Sequence, residues 1–366
     1  MRNNEVCSMN AAIRLFLALL CLSLAGCAEE KPQGAPGSAE SGPRVLTIYN
    51  WAEYIPQSVM DRFTSEYGIA IDYIVYESLE EAVENIRAGK VYDIVLLYPE
   101  MIPQLIREGR LASIDYRNVP NFRHVSSNFR DLSFDPGNHH SIPYRWGTTG
   151  LLVRTDLVSR PVSRWSDLWD PEFAGNIALW SIPSNLLSIS LKALGYSVNT
   201  PAREHWEEAL QHLLKLKPHV TFIDNKIPSV VPTLAAGEAA IAYGWAFDAM
   251  TAQEEGLTNI KYILPDEGTF LWMEFFVIPA NSPHRYEAEL FLDFLLRPEI
   301  SGQIVNESYY ASPNEAAVPF IKPEIYNNPL VYPTAEAMKH AEPSLPLGME
   351  GEAMFESMIK RVFPEK

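Results

Sequence analysis

The stretch 45–109 decides the fold, and it reads VLTIYNWAEYIPQSVMDRFTSEYGIAIDYIVYESLEEAVENIRAGKVYDIVLLYPEMIPQLIREG. Runs rich in β-branched residues alternate there with segments whose apolar residues recur at helical spacing. Pro56 suits the first position of a helix that Gly68 ends, and Ser78 begins the capping box of a second helix that Gly89 ends. The order is β-α-β-α-β-α, which predicts an α/β layer sandwich with parallel strands.

The same alternation of strands and helices continues to the end of the chain. Further strands are predicted at 150–153, 176–180, 239–243, 260–264 and 272–278. Further helices are predicted at 184–194, 201–216, 230–236, 283–296, 298–307 and 351–362. The pattern indicates two α/β lobes, and ligands of such sheets contact the ends of the strands.

Composition and charge restrict the classes of partner. The chain has 366 residues, of which 47% are hydrophobic, so there is enough apolar material for a large core. Acidic residues outnumber basic ones by 46 to 29, which gives a net charge of −17. A field of that sign repels the phosphates of nucleic acids and suits cationic partners. We therefore expect no nucleic-acid partner.

The N-terminus predicts export. The apolar run 15–26 has 12 residues, too few for the ~20 of a spanning helix, so residues 1–26 are predicted to be a signal peptide. Its end, Leu24-Ala-Gly-Cys27, resembles the bacterial lipobox, so we expect a lipid on Cys27 and a mature chain without disulfides. The segment 27–43 is rich in Pro, Gly, Ser and Glu and is predicted to be a flexible tether. The expected location is extracytoplasmic and lipid-anchored.

Motifs for catalysis and cofactors are absent from the sequence. It contains no Gly-x-Gly-x-x-Gly fingerprint, P-loop, His-Glu-x-x-His zinc motif or Gly-x-Ser-x-Gly elbow. The adjacent pair His139-His140 lies in a turn-like segment, and adjacent side chains diverge, so a shared metal is not expected. We predict a protein that is not an enzyme and that uses neither a cofactor nor a metal.

Aromatic residues lie beside acids or a second phenol at four places. These are Trp51-Ala-Glu-Tyr54, Trp245-Ala-Phe-Asp248, Trp272-Met-Glu274 and Tyr309-Tyr310. Aromatic faces attract cations, and carboxylates accept charge-assisted hydrogen bonds from ammonium groups. Apolar walls between such acids suit the methylene chain of an aliphatic diamine. Spacing alone does not join the four places into one site.

Seven segments carry a family resemblance. They are LTIYNWAEYIP (46–56), WSDLWDPEFAG (165–175), ALGYS (193–197), AGE (236–238), IPAN (278–281), FLLRP (294–298) and VYPT (331–334). With them, the sequence from about Val45 to Lys366 resembles the bacterial periplasmic spermidine/putrescine (polyamine) solute-binding proteins of ABC transporters. The resemblance implies a monomer that binds a cationic amine and delivers it to an ABC permease.

The resemblance also implies a fold. That fold is the two-lobed periplasmic-binding-protein fold (type II), an α/β architecture whose lobes are joined by crossover strands and close like a hinge. The expected first lobe comprises residues 44–147 and 272–318, and the second comprises 148–271 and 319–366.

The resemblance assigns a set of ligand-binding residues. They are Trp51, Glu53, Tyr54, Tyr98, Asn185, Trp245, Asp248, Trp272, Glu274 and Tyr310. Two acids of spermidine binders are replaced here by Ile182 and Asn185, which weakens capture of a third ammonium. Glu100 either replaces one of them or is an acid at a helix start. We therefore expect a diamine, such as putrescine or cadaverine, to be favoured over spermidine.

Two other functions remain open from the sequence. A polyamine-loaded sensor that docks on a membrane signalling receptor would also use a lipid anchor and an altered pocket. The pair Tyr309-Tyr310 is similar to the adjacent tyrosines of ferric-ion-binding proteins. Iron prefers hard anionic oxygens, which tyrosine can supply. The tryptophan-rich surroundings argue against iron.

Overall fold

The computed structural model describes residues 44–224 and 229–362. The predicted signal peptide, Cys27 and the predicted tether lie outside the described residues. Among the helices of the described ranges, none is long and apolar enough to cross a membrane.

In the described part of the chain, ten strands form one mixed sheet. They are β1 (Val45–Asn50), β2 (Ala70–Val75), β3 (Ile94–Leu97), β4 (Ser141–Arg154), β5 (Ile177–Trp180), β6 (Val220–Ile223), β7 (Ile241–Trp245), β8 (Ile260–Ile263), β9 (Phe270–Val277) and β10 (Glu342–Pro343). The order is β2-β1-β3-β9-β4-β7-β5-β6, with β8 paired to β4 and β10 to β9. Strands β1, β2 and β3 are parallel, as the sequence predicts, and so are β5, β6 and β7. Strands β4 and β9 run antiparallel to each other between these two groups.

Helices cover the sheet. They are α1 (Gln57–Tyr67), α2 (Leu79–Arg87), α3 (Ile102–Arg107), α4 (Pro183–Ala193), α5 (Arg203–Leu216), α6 (Val231–Ala235), α7 (Ala246–Glu254), α8 (Arg285–Leu295), α9 (Pro298–Ser308), α10 (Pro323–Tyr326) and α11 (Gly348–Val362). Helix α1 ends at Gly68, whose φ of +63° is a left-handed conformation that favours glycine. Helix α2 begins where the Ser78 side chain accepts from the Glu81 N–H, as the capping box predicts. The α/β prediction is confirmed.

Five elements differ from the sequence pattern, and two of them are the short helix α10 and the short strand β10, which were not predicted. Strand β4 begins at Ser141, well before the predicted start at Gly150. The prediction was late because Pro143 and two glycines interrupt the strand-like alternation of residues in the sequence. Strand β6 and helix α7 were not predicted. Helix α7 has alanine and methionine on most of its faces, so it lacks the one-sided apolar pattern that reveals a surface helix.

Two large apolar cores lie on either side of the middle of β4 and β9. The first gathers buried residues between positions 46 and 144 and between 273 and 304. The second gathers buried residues between 151 and 270 and from α11. Strands β4 and β9 carry the chain from one core to the other. The predicted lobe boundaries at 147/148 and 271/272 fall between the cores, and the exact division into hinged lobes stays a prediction.

Candidate ligand-binding site

The two long strands place four functional positions on one face of the sheet. Across the antiparallel pair, Arg145 lies opposite Glu274, and Gly147 lies opposite Trp272. Side chains alternate along a strand, so positions two apart share a face. A Cβ on Gly147 would stand 2.3 Å from the indole of Trp272, so glycine is needed for the indole to lie across β4.

Arg145 and Glu274 form a buried ion pair. The Arg145 Nε donates to Glu274 Oε2 over 2.5 Å, and the two residues are 3% and 1% exposed. The guanidinium carbon lies 3.5 Å from the ring centroid of Tyr54 and 4.1 Å from that of Tyr310. A cation held between two aromatic rings and a carboxylate is strongly stabilised. Desolvation is the largest influence and lowers the pKa of the Arg145 guanidinium, but Glu274 and the surrounding tyrosines together outweigh it and raise that pKa.

Further aromatic residues surround this pair. The Tyr310 ring lies 5.5 Å from the Trp272 indole, and the Trp51 ring lies 6.3 Å from Tyr54. We call these residues with Arg145 and Glu274 the arginine cluster. Burial raises the pKa of Tyr310 to about 12 and also raises that of Tyr54, so both phenols stay protonated at neutral pH.

Two other predicted residues of this region lie at its margin. Glu53 follows β1 with a φ of +57°, and its side chain is exposed. Tyr98 follows β3 and is partly buried, and desolvation raises its pKa while the charge of Glu274 raises it further. The structure therefore brings Tyr98 near the cluster and leaves Glu53 in solvent.

A second group of residues lies at the end of β7. The Trp245 ring is 5.9 Å from Trp180 and 6.5 Å from Tyr243. The Tyr243 hydroxyl donates to the Trp180 backbone carbonyl over 3.3 Å, and the Asn185 side chain opposes the rise that burial causes in the pKa of Tyr243. We call these four residues with Asp248 the tryptophan cluster. Trp180 was not among the predicted site residues, because the sequence indicated only a strand at 176–180.

Asp248 is the acid of the tryptophan cluster. It is 2% exposed, and its carboxylate accepts from the Trp245 N–H over 3.0 Å and from the Ser229 hydroxyl over 2.8 Å. The bond from the Trp245 N–H caps the start of α7. Desolvation nevertheless raises the pKa of Asp248. Among the described residues, no cationic side chain pairs with it.

Tyr310 connects the two clusters. Its ring stacks on that of Phe247, which belongs to α7, at 5.7 Å. The charges of Arg145, Glu274 and Asp248 all act on its pKa. The acid of the tryptophan cluster is thus within electrostatic reach of the ring that covers Arg145.

The structure shows where the residues that replace the two acids lie. Ile182 and Asn185 are partly exposed at the start of α4, and neither supplies a charge. Glu100 lies just before Met101, the residue that precedes α3, so it is next to a helix start but outside the first turn. Its side chain is solvent-accessible, and desolvation raises its pKa.

The sequence did not reveal Arg145. A signal was present, since Ile142-Pro-Tyr-Arg-Trp-Gly147 places one cation inside an apolar and aromatic run. Its partner could not be named, because pairing with Glu274 depends on the register of two strands that are distant in sequence. Glu274, expected to accept a ligand ammonium, is paired with the protein's own guanidinium.

Unpartnered polar atoms gather at the two clusters. The buried side-chain atoms of the described residues without a hydrogen-bond partner are Asn50 Nδ2, Trp51 Nε1, Asn138 Nδ2, Arg145 Nη2, Thr149 Oγ1, Trp180 Nε1 and Trp272 Nε1. Four of these residues belong to the clusters, and Asn50 and Thr149 adjoin them in the chain or in strand register. Buried polar groups are normally paired, so this concentration makes the two clusters the candidate ligand-binding site.

The structure bears on the iron alternative. Tyr309 ends α9 with a φ of +59° and is 39% exposed, whereas Tyr310 covers the guanidinium of Arg145. A ferric ion at Tyr310 would face that cation. In the described ranges, no three His, Cys, Asp or Glu side chains are grouped so that they could hold a metal.

Comparison with known proteins identifies the family. The model of the bacterial extracellular solute-binding protein family matches residues 58–333. The spermidine/putrescine-binding periplasmic protein of Escherichia coli is 34% identical over 300 residues, covering 81% of this chain and 85% of that protein. The putrescine/cadaverine-binding protein of Pseudomonas aeruginosa is 28% identical over 311 residues, covering 81% and 87%.

Solved structures agree with this result. The crystal structure of a spermidine/putrescine ABC transporter substrate-binding protein from Streptococcus pneumoniae superposes with a TM-score of 0.77 at 29% identity. The alignment covers 87% of this chain and 98% of that one. The predicted two-lobed periplasmic-binding-protein fold is confirmed. The chain belongs to the bacterial extracellular solute-binding protein family, among the relatives of the spermidine/putrescine-binding periplasmic proteins.

Proposed function

We propose that this chain is the substrate-binding component of an ABC importer and that it captures a linear aliphatic amine of the polyamine class. Asp248 carries the proposal: it is a buried carboxylate without a cationic partner among the described residues, it accepts from the Trp245 N–H, and the neighbouring Phe247 stacks on Tyr310. A ligand ammonium would supply the missing cation. The aromatic walls would accept the methylene chain.

The expected size of the ligand follows from the two replaced acids. Ile182 and Asn185 supply no charge in the second lobe, so the site offers few partners for a third ammonium. A molecule of the length of putrescine or cadaverine fits this set of groups better than spermidine does. The relatives named above bind such amines, as their names state.

Capture and delivery would follow the lobed architecture. The free protein would exchange between open and closed forms, and a ligand that contacts both clusters would favour the closed form. The closed form would then dock on the permease. We further propose that a lipid on Cys27 holds the monomeric protein at the outer side of the membrane, where its periplasmic relatives work.

Calorimetric titration tests the proposal. The purified full-length protein is unfolded and refolded to remove carried-over ligand, and then titrated with putrescine, cadaverine, agmatine, norspermidine, spermidine and 5-aminovalerate. Binding of at least one of these linear amines with a micromolar or lower Kd is expected. Absence of binding across the panel would contradict the proposed function.

A further inference from the structure

The cation between Tyr54 and Tyr310 belongs to the protein itself. The Arg145 guanidinium occupies the aromatic box and uses a carboxylate oxygen of Glu274. That acid is therefore neutralised within the fold. A second ammonium, on a ligand whose first ammonium lay at Asp248, would meet a like charge at this end of the site.

The arginine cluster offers hydrogen-bond donors without acceptors. Arg145 Nη2, Trp51 Nε1 and Trp272 Nε1 are buried and unpartnered, and all three are donors. A diamine at neutral pH carries ammonium groups, which also only donate. Such a ligand would leave these protein donors unsatisfied, at a cost in affinity for each buried one.

The tryptophan cluster differs from the arginine cluster in its charged group, although it also contains one unpartnered donor, Trp180 Nε1. Its charged group is the Asp248 carboxylate, which accepts hydrogen bonds and has no cationic partner among the described residues. Tyr310 links the two ends, because its ring covers the Arg145 guanidinium and stacks at 5.7 Å on Phe247, the residue before Asp248 in α7. The site thus has a donor end at Arg145 and an acceptor end at Asp248.

A ligand that matches both ends carries one carboxylate and one ammonium. We propose that the solute is a linear ω-amino carboxylate, whose carboxylate binds the free Nη2 of Arg145 and whose ammonium lies towards Asp248. This inference rests on the proposed capture of an amine and replaces the second ammonium of the expected diamine by a carboxylate. The methylene chain would lie between the rings of Trp245 and Trp272.

Matched ligand pairs distinguish binding of an ω-amino carboxylate from the broader proposal of amine capture. Putrescine and 4-aminobutyrate have the same number of carbons and differ at one terminal group, as do cadaverine and 5-aminovalerate. We expect the refolded full-length protein to bind the better amino acid at least about tenfold more tightly than its matched diamine. A diamine that binds more tightly than its matched amino acid would overturn the inference and leave the proposal of amine capture standing. If no member of either pair binds, this inference fails, and the proposed function fails with it only when agmatine, norspermidine and spermidine do not bind either.

Variants of Arg145 sharpen the test. Arg145→Lys keeps a cation, and we expect it to retain the preference for the amino acid at lower affinity. Arg145→Met removes the cation and frees Glu274, so the preference should reverse towards the diamine. Because Arg145→Met leaves a buried acid unpaired, its folding is checked by circular dichroism, and the double variant Arg145→Met/Glu274→Gln serves as the uncharged alternative. The double variant should lose the preference for the amino acid, and an unchanged preference in either Met variant would overturn the assignment.

Discussion

Gly147 lies directly under the indole of Trp272, and no larger residue fits between them, since a Cβ would come within 2.3 Å of the ring. This contact occurs where β4 and β9 pass from one core to the other. The position of an aromatic wall of the site is therefore set by the absence of a side chain on the neighbouring strand.

Gly147→Ala should displace the indole. Overpacking of this kind costs about 1–3 kcal/mol in the free energy of unfolding, and the moved wall should weaken ligand binding at least about tenfold. Urea unfolding and calorimetry measure the two effects. Gly68→Ala is the matched control, because Gly68 has a φ of +63° and open space around it. The control should lose stability through backbone strain and keep its affinity, and a wild-type affinity in Gly147→Ala would contradict the role of the contact.

Asp248→Asn should weaken amine binding at least about tenfold, because it removes the charge that attracts the ammonium. An asparagine oxygen can still accept from the Trp245 N–H, so the free energy of unfolding should change by no more than about 1 kcal/mol. Calorimetry and thermal unfolding give both numbers. Ser229→Ala removes a neighbouring partner without removing the charge, and we expect its affinity to fall less.

The affinity for the amine should fall in acid. Desolvation raises the pKa of Asp248 in the free protein, and a bound ammonium would lower it, so binding favours the deprotonated form. Affinity should therefore be complete above the raised pKa and decrease as the pH falls through it. Titrations at several pH values between neutral and acidic conditions measure this slope. The slope should be reduced in Asp248→Asn, and an equal slope in the variant would assign the titration to another group.

Glu274→Gln should be strongly destabilising. It leaves the Arg145 cation buried without its acid, and breaking a buried ion pair costs about 3–5 kcal/mol. Glu108→Gln breaks the exposed pair with Arg87 and should cost no more than about 1 kcal/mol. Urea unfolding compares the two variants. Equal losses would show that burial adds nothing to the Arg145 pair.

Variants of Tyr310 distinguish the contribution of its aromatic ring to ligand affinity from that of its hydroxyl. Tyr310→Phe keeps an aromatic face over the guanidinium and should bind ligand within about threefold of the wild type, whereas Tyr310→Leu should lose about tenfold. Calorimetry with the preferred ligand measures both. A large loss in the Phe variant would instead assign a hydrogen bond to the hydroxyl.

The elements that could be predicted from the sequence are those with local start and stop signals. Helices such as α1 and α2 have start and stop residues within the helix or next to it, so their positions follow from Pro56, Gly68 and Ser78. Strand β4 lacks such signals and its start was predicted nine residues late. The aromatic members of the site were accessible through the family resemblance. The pairing of Arg145 with Glu274 was not, because it depends on strand register, which a single sequence does not reveal.

The path of β4 and β9 has a consequence for how this protein can diversify. The residues at 145, 272 and 274, which we propose form part of the ligand site, belong to the same two strands that connect the cores. A substitution there alters both which solute is chosen and how easily the connection twists. Selectivity and the kinetics of solute release are thus inherited together, and relatives that acquire a new cargo through these positions should also release it at a different rate.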